Sequence, residues 1–357
     1  MNPHISLVIP TWNGLHLLRQ NLPSVLEAAS YYEDVSGAET EVILVDDGSQ
    51  DDTPRIAKED FPEVIIIARS RNGGFAAACN TGFANCRYQV VALLNNDVRI
   101  QRDYLVHHAE HFTDPRIFAV TAKVFEWNSR LFATGGRYGR FRRGFWSVYF
   151  NYDVSLHQSM SWIRDHGLLS FYAIGGFATY DREKLEQLGG FNEPLSPFHW
   201  EDVDLSYRAW KRGWQIHYEP RSVGYHRASS TIEAHYQTRK VDAISFRNRL
   251  LFHWINLHSP SLLVSHILSV VLLFLTRIFV FDHYFYRSLI QALLCLPEVR
   301  RQRKRERARA RRSDAEVRQL LTEFYRSAPI QIYYNQGEVM ASHPDYGNSE
   351  GSVRPPQ

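Results

Sequence analysis

The chain has 357 residues, 44% of them hydrophobic and 13% aromatic, which excludes global disorder and suffices for one large domain or two modest ones. The formal net charge is +3, but the run at 300–312 alone carries nine basic residues and one glutamate. Without the net charge of +8 of this run, the rest of the chain has a net charge of −5. Cysteines at 79, 86 and 295 show neither metal-ligand spacing nor a disulfide framework, so we expect a reducing compartment. Without a basic and apolar leader at the N-terminus, we expect no secretory signal.

Apolar runs alternate with amphipathic segments through the first third of the chain. Predicted strands lie at 5–10, 41–45, 64–67, 90–94 and 117–120, and predicted helices at 15–31, 51–60, 74–84 and 104–112. This alternation predicts an α/β fold, Rossmann-like, with a mostly parallel sheet and helices on both faces. Such folds often bind nucleotides, although fold alone does not define function.

The second third of the sequence is less regular. Residues 125–171 are rich in aromatics, arginines and glycines, and we interpret them as loops and irregular strands. Regularity returns with a predicted strand at 173–180 and helices at 182–188 and 201–212, each ended by a glycine.

Polar groups follow the strand at 90–94 directly, as Asn95, Asn96 and Asp97. In open α/β sheets, ligands bind beyond the carboxyl ends of the strands. Hard oxygen groups at that place suit Mg²⁺ or Mn²⁺ carrying a phosphate. The alternative is a plain turn, since Asn and Asp are also common turn formers.

Two other stretches also place polar groups at strand ends or helix starts. Asp46 and Asp47 follow the second strand, where a carboxylate can accept from a base N–H or a ribose hydroxyl. Ser49 and Asp51 are also good helix caps, and both roles can hold together. The glycine turn at 71–75 opens a helix, so its free N–H groups could face a phosphate, or it could be a simple turn.

Three carboxylates crowd the start of the helix at 201–212, namely Glu201, Asp202 and Asp204. They could simply complement the helix dipole. Their apolar surroundings, however, would raise at least one pKa, which is how a general base is poised, and we favour that interpretation. Downstream, His226 is either a structural histidine or a metal ligand together with Asp97.

Five ordered motifs, at 8–13, 45–51, 72–75, 94–97 and 201–205, resemble those of family 2 glycosyltransferases over roughly residues 4–258. The chain is most similar to the bacterial branch with rhamnosyl- and other surface-polysaccharide transferases. The resemblance implies a GT-A fold and inverting transfer from a UDP- or dTDP-linked sugar to a hydroxyl of a glycan or lipid-linked acceptor. It also implies a bacterial enzyme of cell-surface polysaccharide biosynthesis.

The resemblance also assigns roles to individual positions. The residues expected to bind the nucleotide are Pro10, Thr11, Asp47, Asn72, Gly73, Gly74 and Asn96, with Asp47 accepting from a pyrimidine N3–H. A divalent cation, Mg²⁺ or Mn²⁺, would be held by Asp97 and His226, with the neutral Asn95 where relatives carry an Asp. Asp202 would be the general base, supported by Glu201 and Asp204. The acceptor would be bordered by Gly175, Gly176 and Phe177.

The implied organisation has a catalytic domain at 1–258, with a nucleotide-sugar half to about 125 and an acceptor half at 126–258. An apolar, membrane-associated helical segment follows at 259–298, a basic helical segment at 299–336 and a disordered tail at 337–357. These roles require Asp97 and Asp202 to share one pocket.

The apolar stretch at 262–281 is long enough to span a bilayer, but its polar residues favour a helix lying in the interface; a buried helix pair is a third interpretation. The basic run would attract anionic lipid headgroups. Because no RNA- or DNA-binding motif accompanies it, we expect no nucleic-acid partner. A lipid-linked acceptor would place the enzyme at the cytoplasmic face of the membrane, as a peripheral or monotopic protein.

Two rival functions are a nucleotidyltransferase, which would use basic side chains such as Arg69 and Arg71, and an inactive membrane-bound nucleotide-sugar-binding protein, for which Asn95 is the only support.

Overall fold

The computed structural model describes residues 2–127, 129, 131–226, 237–334 and 338–339. The strands are β1 Ile5–Thr11, β2 Thr40–Asp46, β3 Ile65–Ala68, β4 Val90–Leu94, β5 Val98–Ile100, β6 Ile117–Glu126, β7 Phe132–Thr134, β8 Gly136–Arg142, β9 Phe145–Asp153, β10 Phe177–Asp181, β11 Gln215–His226, β12 Gln331–Tyr334 and β13 Glu338–Val339. The helices are α1 Leu15–Ser36, α2 Thr53–Asp60, α3 Phe75–Ala84, α4 Tyr104–His111, α5 Leu156–His166, α6 Arg182–Leu188, α7 Glu201–Arg212, α8 Thr238–Asn256, α9 Pro260–Arg277, α10 His283–Leu294, α11 Leu296–Arg309 and α12 Asp314–Ser327. Apart from β13, the predicted disordered tail lies outside the described residues.

The larger sheet runs in the order β3–β2–β1–β4–β10–β6–β11–β5, with β7 paired to β6. Its first four strands are parallel, whereas β10 is antiparallel to both of its neighbours. All five residues of β4 are buried, as expected for a strand covered on both faces. Separate apolar cores fill the two faces, one including α3 and α7 and the other α1 and α4. The predicted α/β fold with helices on both faces is confirmed.

The interpretation of residues 125–171 as loops and irregular strands is wrong. This region contains the β8–β9 hairpin and α5, and β12 returns from near the C-terminus to pair with β9. Alternate residues of β9 are buried: Trp146, Val148, Phe150 and Tyr152. The glycines of this region, which suggested loops, instead leave space for aromatic rings. A Cβ on Gly139, for example, would collide with the ring of Phe171.

The C-terminal helices return to the body formed by the earlier elements. Val299 in α11 and Val317 and Leu321 in α12 belong to the same core as α7. The stretch Pro260–Val280 is, among the described helices, the one long and apolar enough to cross a bilayer, a property that buried core helices can share. Most of its large side chains are nevertheless exposed.

Candidate active site

Sheet geometry gathers the candidate residues at one edge. Strands β1, β2 and β4 are parallel, with Thr11 opposite Asp46 and Val8 opposite Leu93, so their carboxyl ends lie together. Strand β10 runs the other way and places Phe177 opposite Leu94. The glycine pair that precedes β10 therefore lies at the edge where the three parallel strands end.

Asp47 organises the nucleotide side of this edge. Its carboxylate accepts hydrogen bonds from the N–H of Gly73 at 3.0 Å and of Gly74 at 2.8 Å, and lies 3.1 Å from Nε of Arg69. Burial raises the pKa of Asp47 despite these partners. The carboxylate therefore fixes the glycine turn at the start of α3, and its contact with a base stays a prediction.

Other predicted nucleotide residues adjoin this turn. Asn96 donates from Nδ2 to Oγ1 of Thr11 at 2.8 Å, and its carbonyl accepts from Nδ2 of Asn21 at 2.9 Å. Asn72 accepts from the N–H of Gly74 at 3.0 Å. Pro10 is buried in β1 just before Thr11. The hydrogen bond between Asn96 and Thr11 thus links the polar ends of β1 and β4.

The proposed cation ligands are brought near one another by the pairing of β11 with β5. His226 lies opposite Val98, and its Nε2 is 3.4 Å from Oδ1 of Asp97. In the same loop, Oδ1 of Asn95 is buried without a hydrogen-bond partner among the described residues. The carboxylate and the amide oxygen suit Mg²⁺ or Mn²⁺, whereas an imidazole nitrogen suits a transition metal such as Mn²⁺ better than Mg²⁺.

Within the described ranges, no group of three or more His, Cys, Asp or Glu side chains gathers around a metal position. Mg²⁺ is commonly bound by one or two carboxylates together with substrate phosphates. The residues present therefore fit a cation that shares its coordination with a bound diphosphate.

Two consecutive glycines join the cation side to the carboxylates of α7. Gly175 donates its N–H to Oδ2 of Asp202 at 3.2 Å, and the carbonyl of Gly176 accepts from the N–H of Asn95 at 3.3 Å. Gly176 has a φ of +97°, and a Cβ there would collide with the carboxamide of Asn95. The loop that carries Asn95 is therefore linked through Gly175 and Gly176 to the first turn of α7.

The first turn of α7 holds a buried carboxyl group, that of Glu201, beside the half-buried one of Asp202. Asp202 accepts from the N–H of Val203 at 2.7 Å, in addition to that of Gly175. Burial raises the pKa of Asp202, while those N–H groups and the nearby Arg137 oppose the rise. Oε2 of Glu201 is buried with no hydrogen-bond partner among the described residues.

Burial, and then the charge of Asp202, raises the pKa of Glu201 to about 8. The charge of Asp202 is stabilised by N–H donors, whereas Oε2 of Glu201 has none. These N–H donors favour the charged form of Asp202, whereas the raised pKa of Glu201 favours its neutral form. A half-buried carboxylate held by backbone N–H groups is suited to accept a proton.

Asp204 is engaged differently. It is wholly buried, lies 2.8 Å from Nε of Arg208 and accepts from Nδ2 of Asn256 at 2.6 Å. Arg208 in turn donates to the carbonyls of Leu188 and Gly190. Asp204 therefore supports the pair at 201–202 by anchoring α7 against its neighbours.

Sequence reasoning missed two basic residues at the site. Arg137 in β8 stacks over the ring of Tyr172 at 4.6 Å and donates to Asn151 and Thr134. Its positive charge lowers the pKa of Asp202 and so opposes the effect of burial. Position 137 lay in the region interpreted as loop, so no local signal linked it to a carboxylate more than sixty residues later.

The second missed residue is Arg247 in α8, which donates to the carbonyl of Ser196 at 3.1 Å. This contact holds the loop that enters α7. A Cβ on Gly74 would lie 3.4 Å from the backbone of Pro197, so the same loop borders the glycine turn on the nucleotide side.

Comparisons with known proteins show which family this chain belongs to. The sequence profile described as Glycosyl transferase family 2 matches residues 6–189. The pre-mycofactocin glycosyltransferase of Mycobacterium tuberculosis is 26% identical over 226 residues, which are 62% of this chain and 42% of the relative. The minor teichoic acid biosynthesis protein GgaA of Bacillus subtilis is 27% identical over 210 residues, 56% of this chain and 41% of the relative.

The undecaprenyl-phosphate 4-deoxy-4-formamido-L-arabinose transferase of Pseudomonas fluorescens is similar over a shorter stretch. It is 35% identical over 99 residues, which are 27% of this chain and 28% of the relative. The chain thus spans less than half the length of these curated relatives.

Among solved structures, GalNAc-T7 with UDP, GalNAc and Mn²⁺ has a TM-score of 0.53 at 18% identity and covers 71% of this chain and 48% of its own. S. aureus TarS 1-349 in complex with UDP-GlcNAc has a TM-score of 0.50 at 17% identity and covers 94% of this chain and 98% of its own. At such identities the likeness concerns the fold, which is GT-A. Since the family profile covers more than half of its residues, the chain belongs to glycosyl transferase family 2.

Proposed function

We propose that this protein is an inverting glycosyltransferase that moves a sugar from a UDP- or dTDP-linked donor to a hydroxyl of a glycan or lipid-linked acceptor. The observation that carries the proposal is the glycine pair at 175–176, which ties the carboxylate of Asp202 to the loop of Asn95. This link supports a base for the acceptor and a site for the donor phosphates in one pocket, as a single displacement would require.

Nucleotide recognition would fall to the carboxyl ends of β1 and β2 and to the glycine turn. The structures of GalNAc-T7 and TarS were solved with UDP and UDP-GlcNAc respectively, which supports a uridine nucleotide in the shared fold. In this chain, the hydrogen bond between Thr11 and Asn96 and the turn held by Asp47 would receive the nucleotide.

A divalent cation, Mg²⁺ or Mn²⁺, would be held by Asp97 and His226, with the buried oxygen of Asn95 beside them. Bound there, it would neutralise charge on the departing diphosphate as a Lewis acid. The Mn²⁺ in the GalNAc-T7 structure supports this assignment.

Asp202 would remove the proton from the acceptor hydroxyl. The acceptor oxygen then forms a bond to the anomeric carbon while the bond from that carbon to the diphosphate oxygen breaks. The oxygen attacks the face opposite the leaving group, so one displacement inverts the configuration without a covalent intermediate. Glu201 stays neutral and leaves a single negative charge on the carboxyl pair. Gly175, Gly176 and Phe177 would border the acceptor.

Association with the cytoplasmic face of a bacterial membrane would follow from a lipid-linked acceptor used in cell-surface polysaccharide synthesis. The names of two relatives, an undecaprenyl-phosphate transferase and a teichoic acid biosynthesis protein, support such an acceptor. The exposed apolar side chains of Pro260–Val280 supply a surface for the association.

The nucleotidyltransferase alternative depends on Arg69 and Arg71, and the structure removes support from the first of them. Arg69 lies against Asp47 and donates to Oγ1 of Thr81 at 3.0 Å, so its guanidinium is already engaged.

A donor screen tests the proposal. The full chain is incubated with a panel of nucleotide sugars and Mg²⁺, Mn²⁺ or EDTA, and nucleoside diphosphate release is measured. We expect release from one UDP- or dTDP-sugar that stops in EDTA. Pyrophosphate release from a nucleoside triphosphate and a sugar phosphate would indicate a nucleotidyltransferase. Binding without turnover, with or without candidate acceptors, would indicate an inactive sugar-nucleotide-binding protein.

A further inference from the structure

One face of α9 and the turn after it expose large apolar side chains. Phe279 and Phe281 are 82% and 87% exposed, and Leu268, Leu272 and Leu275 lie on the exposed side of the helix. Residues 260–276 contain no Asp, Glu, Lys or Arg. An exposed apolar surface of this extent usually marks a contact with a protein or a membrane.

The opposite face of α9 packs against the protein along most of the helix. Leu262 and His266 are buried, and Val270 and Leu273 pack against the main core. His266 hydrogen-bonds the carbonyl of Gly144 at 2.8 Å and stacks on His253 of α8. These contacts extend over about 16 Å of helix at 1.5 Å per residue. A helix held in this way lies along the protein instead of projecting from it through a bilayer.

The turn of the β8–β9 hairpin brings positive charge to the edge of this face. Gly144 has a φ of +76°, and a Cβ there would lie 2.5 Å from the carbonyl oxygen of Ser265, so the turn rests on α9. The two preceding residues, Arg142 and Arg143, are exposed, and neither forms an ion pair with a described carboxylate. Guanidinium groups beside an apolar face complement the phosphates at the boundary of a lipid bilayer.

The basic run at 300–312 is partly engaged within the protein. Arg303 donates to the carbonyl of Trp254 at 2.7 Å, and Arg312 to that of Trp214 at 3.2 Å. Arg301 lies 2.5 Å from Glu298, and Arg305 lies 3.0 Å from Glu306. Arg303 and Arg312 thus stabilise the packing of α11 and the segment after it, whereas Arg301 and Arg305 pair with glutamates of α11 itself.

We propose that Arg142, Arg143 and the exposed apolar face from Leu268 to Phe281 form one membrane-docking surface, on which α9 lies in the plane of the interface. The arginines bind lipid phosphates while Phe279 and Phe281 enter the acyl boundary. The inference rests on the proposed membrane association and adds its orientation. Strand β8 also carries Arg137, whose positive charge lowers the pKa of Asp202. The same hairpin therefore contributes residues both to the docking surface and to the surroundings of the proposed base.

Vesicle binding of the full chain tests the inference. The wild type, Arg142→Ser/Arg143→Ser and Phe279→Ser/Phe281→Ser are sedimented at low salt with phosphatidylglycerol–phosphatidylcholine vesicles and with phosphatidylcholine alone. The matched control is Arg300→Ser/Arg301→Ser, which removes two arginines from the basic run. We expect the Arg142/Arg143 pair to reduce partitioning to anionic vesicles by about thirtyfold, and the control to stay within about twofold.

On phosphatidylcholine alone, the Arg142/Arg143 variant should equal the wild type and the Phe279/Phe281 variant should bind less. Unchanged donor hydrolysis by both variants would show that they are folded. If the Arg142/Arg143 variant binds anionic vesicles like the wild type while the control loses binding, the inference is wrong but membrane association stands. If the wild type binds neither vesicle and light scattering shows a dimer, the apolar face joins two copies and the membrane association itself fails.

Discussion

The charged residues at the two extremes of α7, Glu201 and Asp202 at its start and Lys211 and Arg212 at its end, have opposite surroundings. The ion pair of Asp204 and Arg208 lies between them. In the first turn, Oε2 of Glu201 has no hydrogen-bond partner among the described residues, and Asp202 is met by backbone N–H groups. In the last turn, Lys211 lies 2.6 Å from Asp314, and Arg212 lies 2.6 Å from Glu306.

This difference indicates that the start of α7 is suited to chemistry and that its end fixes the position of the helix. A buried ion pair gives little net stability, but removing one partner is costly because the other charge stays buried alone. Such pairs fix where a helix lies. Carboxyl groups left without counter-charges have raised pKa values and are available to a substrate. The paired end of α7 thus holds its unpaired end in place, and substitutions at the two ends should affect different properties.

Asp314→Asn should produce the largest loss of stability. The Asp314 carboxylate contacts Nζ of Lys211, the hydroxyl of Tyr207 and the N–H groups of His258 and Ser259. Breaking this buried pair should lower the free energy of unfolding by about 3–5 kcal/mol, measured by urea denaturation. Asp34→Asn, at an exposed position of α1, is the control and should change it by no more than about 0.5 kcal/mol. A similar small effect at 314 would show that the pair does not hold α7.

Gly176→Ala should cost less stability but disturb the cation side. The φ of +97° and the collision with Asn95 predict strain of about 1–3 kcal/mol and a displaced Asn95 side chain. Gly175→Ala is the matched control for stability, since a Cβ there would meet its neighbours at 3.4 Å or more. Thermal unfolding and Mn²⁺ titration in the presence of UDP compare the two variants. Equal unfolding temperatures would contradict the strained geometry at 176.

His226→Ala should weaken cation binding. The imidazole lies 3.4 Å from Asp97, so its loss removes one ligand and should raise the Kd for Mn²⁺ by about tenfold, or about 1.4 kcal/mol. Calorimetry with UDP present measures the change. His166→Ala, at the exposed end of α5, should leave the affinity unchanged. If His226→Ala bound Mn²⁺ as the wild type does, His226 would be a structural histidine.

Glu201→Gln should change the dependence of stability on pH. The pKa of Glu201 rises from 4.5 to about 8 on folding, so between these values the folded protein holds a proton that the unfolded chain has released. This contribution to stability is fully present below the unfolded value and is lost as pH rises towards 8, by at most about 1.4 kcal/mol per pH unit.

The glutamine variant should lose that slope, which urea denaturation from pH 5 to 9 would show. Parallel curves for wild type and variant would mean that Glu201 is ionised in the folded protein.

The sequence predicted the parallel strands and the polar groups at their ends because both depend on short apolar runs. Asn95 and Asp97 could be placed at an edge of the sheet for this reason, whereas Asp202 was predicted at a helix start and joined to them only by the family resemblance. The sequence could not show that Asp204 pairs with Arg208, because dipole complementation predicts the same acidic first turn.

Contacts between segments that are far apart in the sequence could not be predicted either. Asp314 lies 103 positions after Lys211, and the arginines of α11 look like a free basic run until their packing is known. The β8–β9 hairpin was missed because its glycines admit aromatic rings yet resemble turn formers. In both of these cases the partner lies far along the chain, whereas the pair of Asp204 and Arg208 is local and was obscured by the dipole interpretation.

The transfer rate and donor affinity of Asp202→Asn test the central claim most directly. The amide keeps the shape of the side chain but cannot accept the proton of the acceptor hydroxyl. We predict a loss of sugar transfer of about 10³-fold with a donor Kd within a few-fold of the wild type. Near-normal turnover by this variant would contradict the assignment of Asp202 as the base.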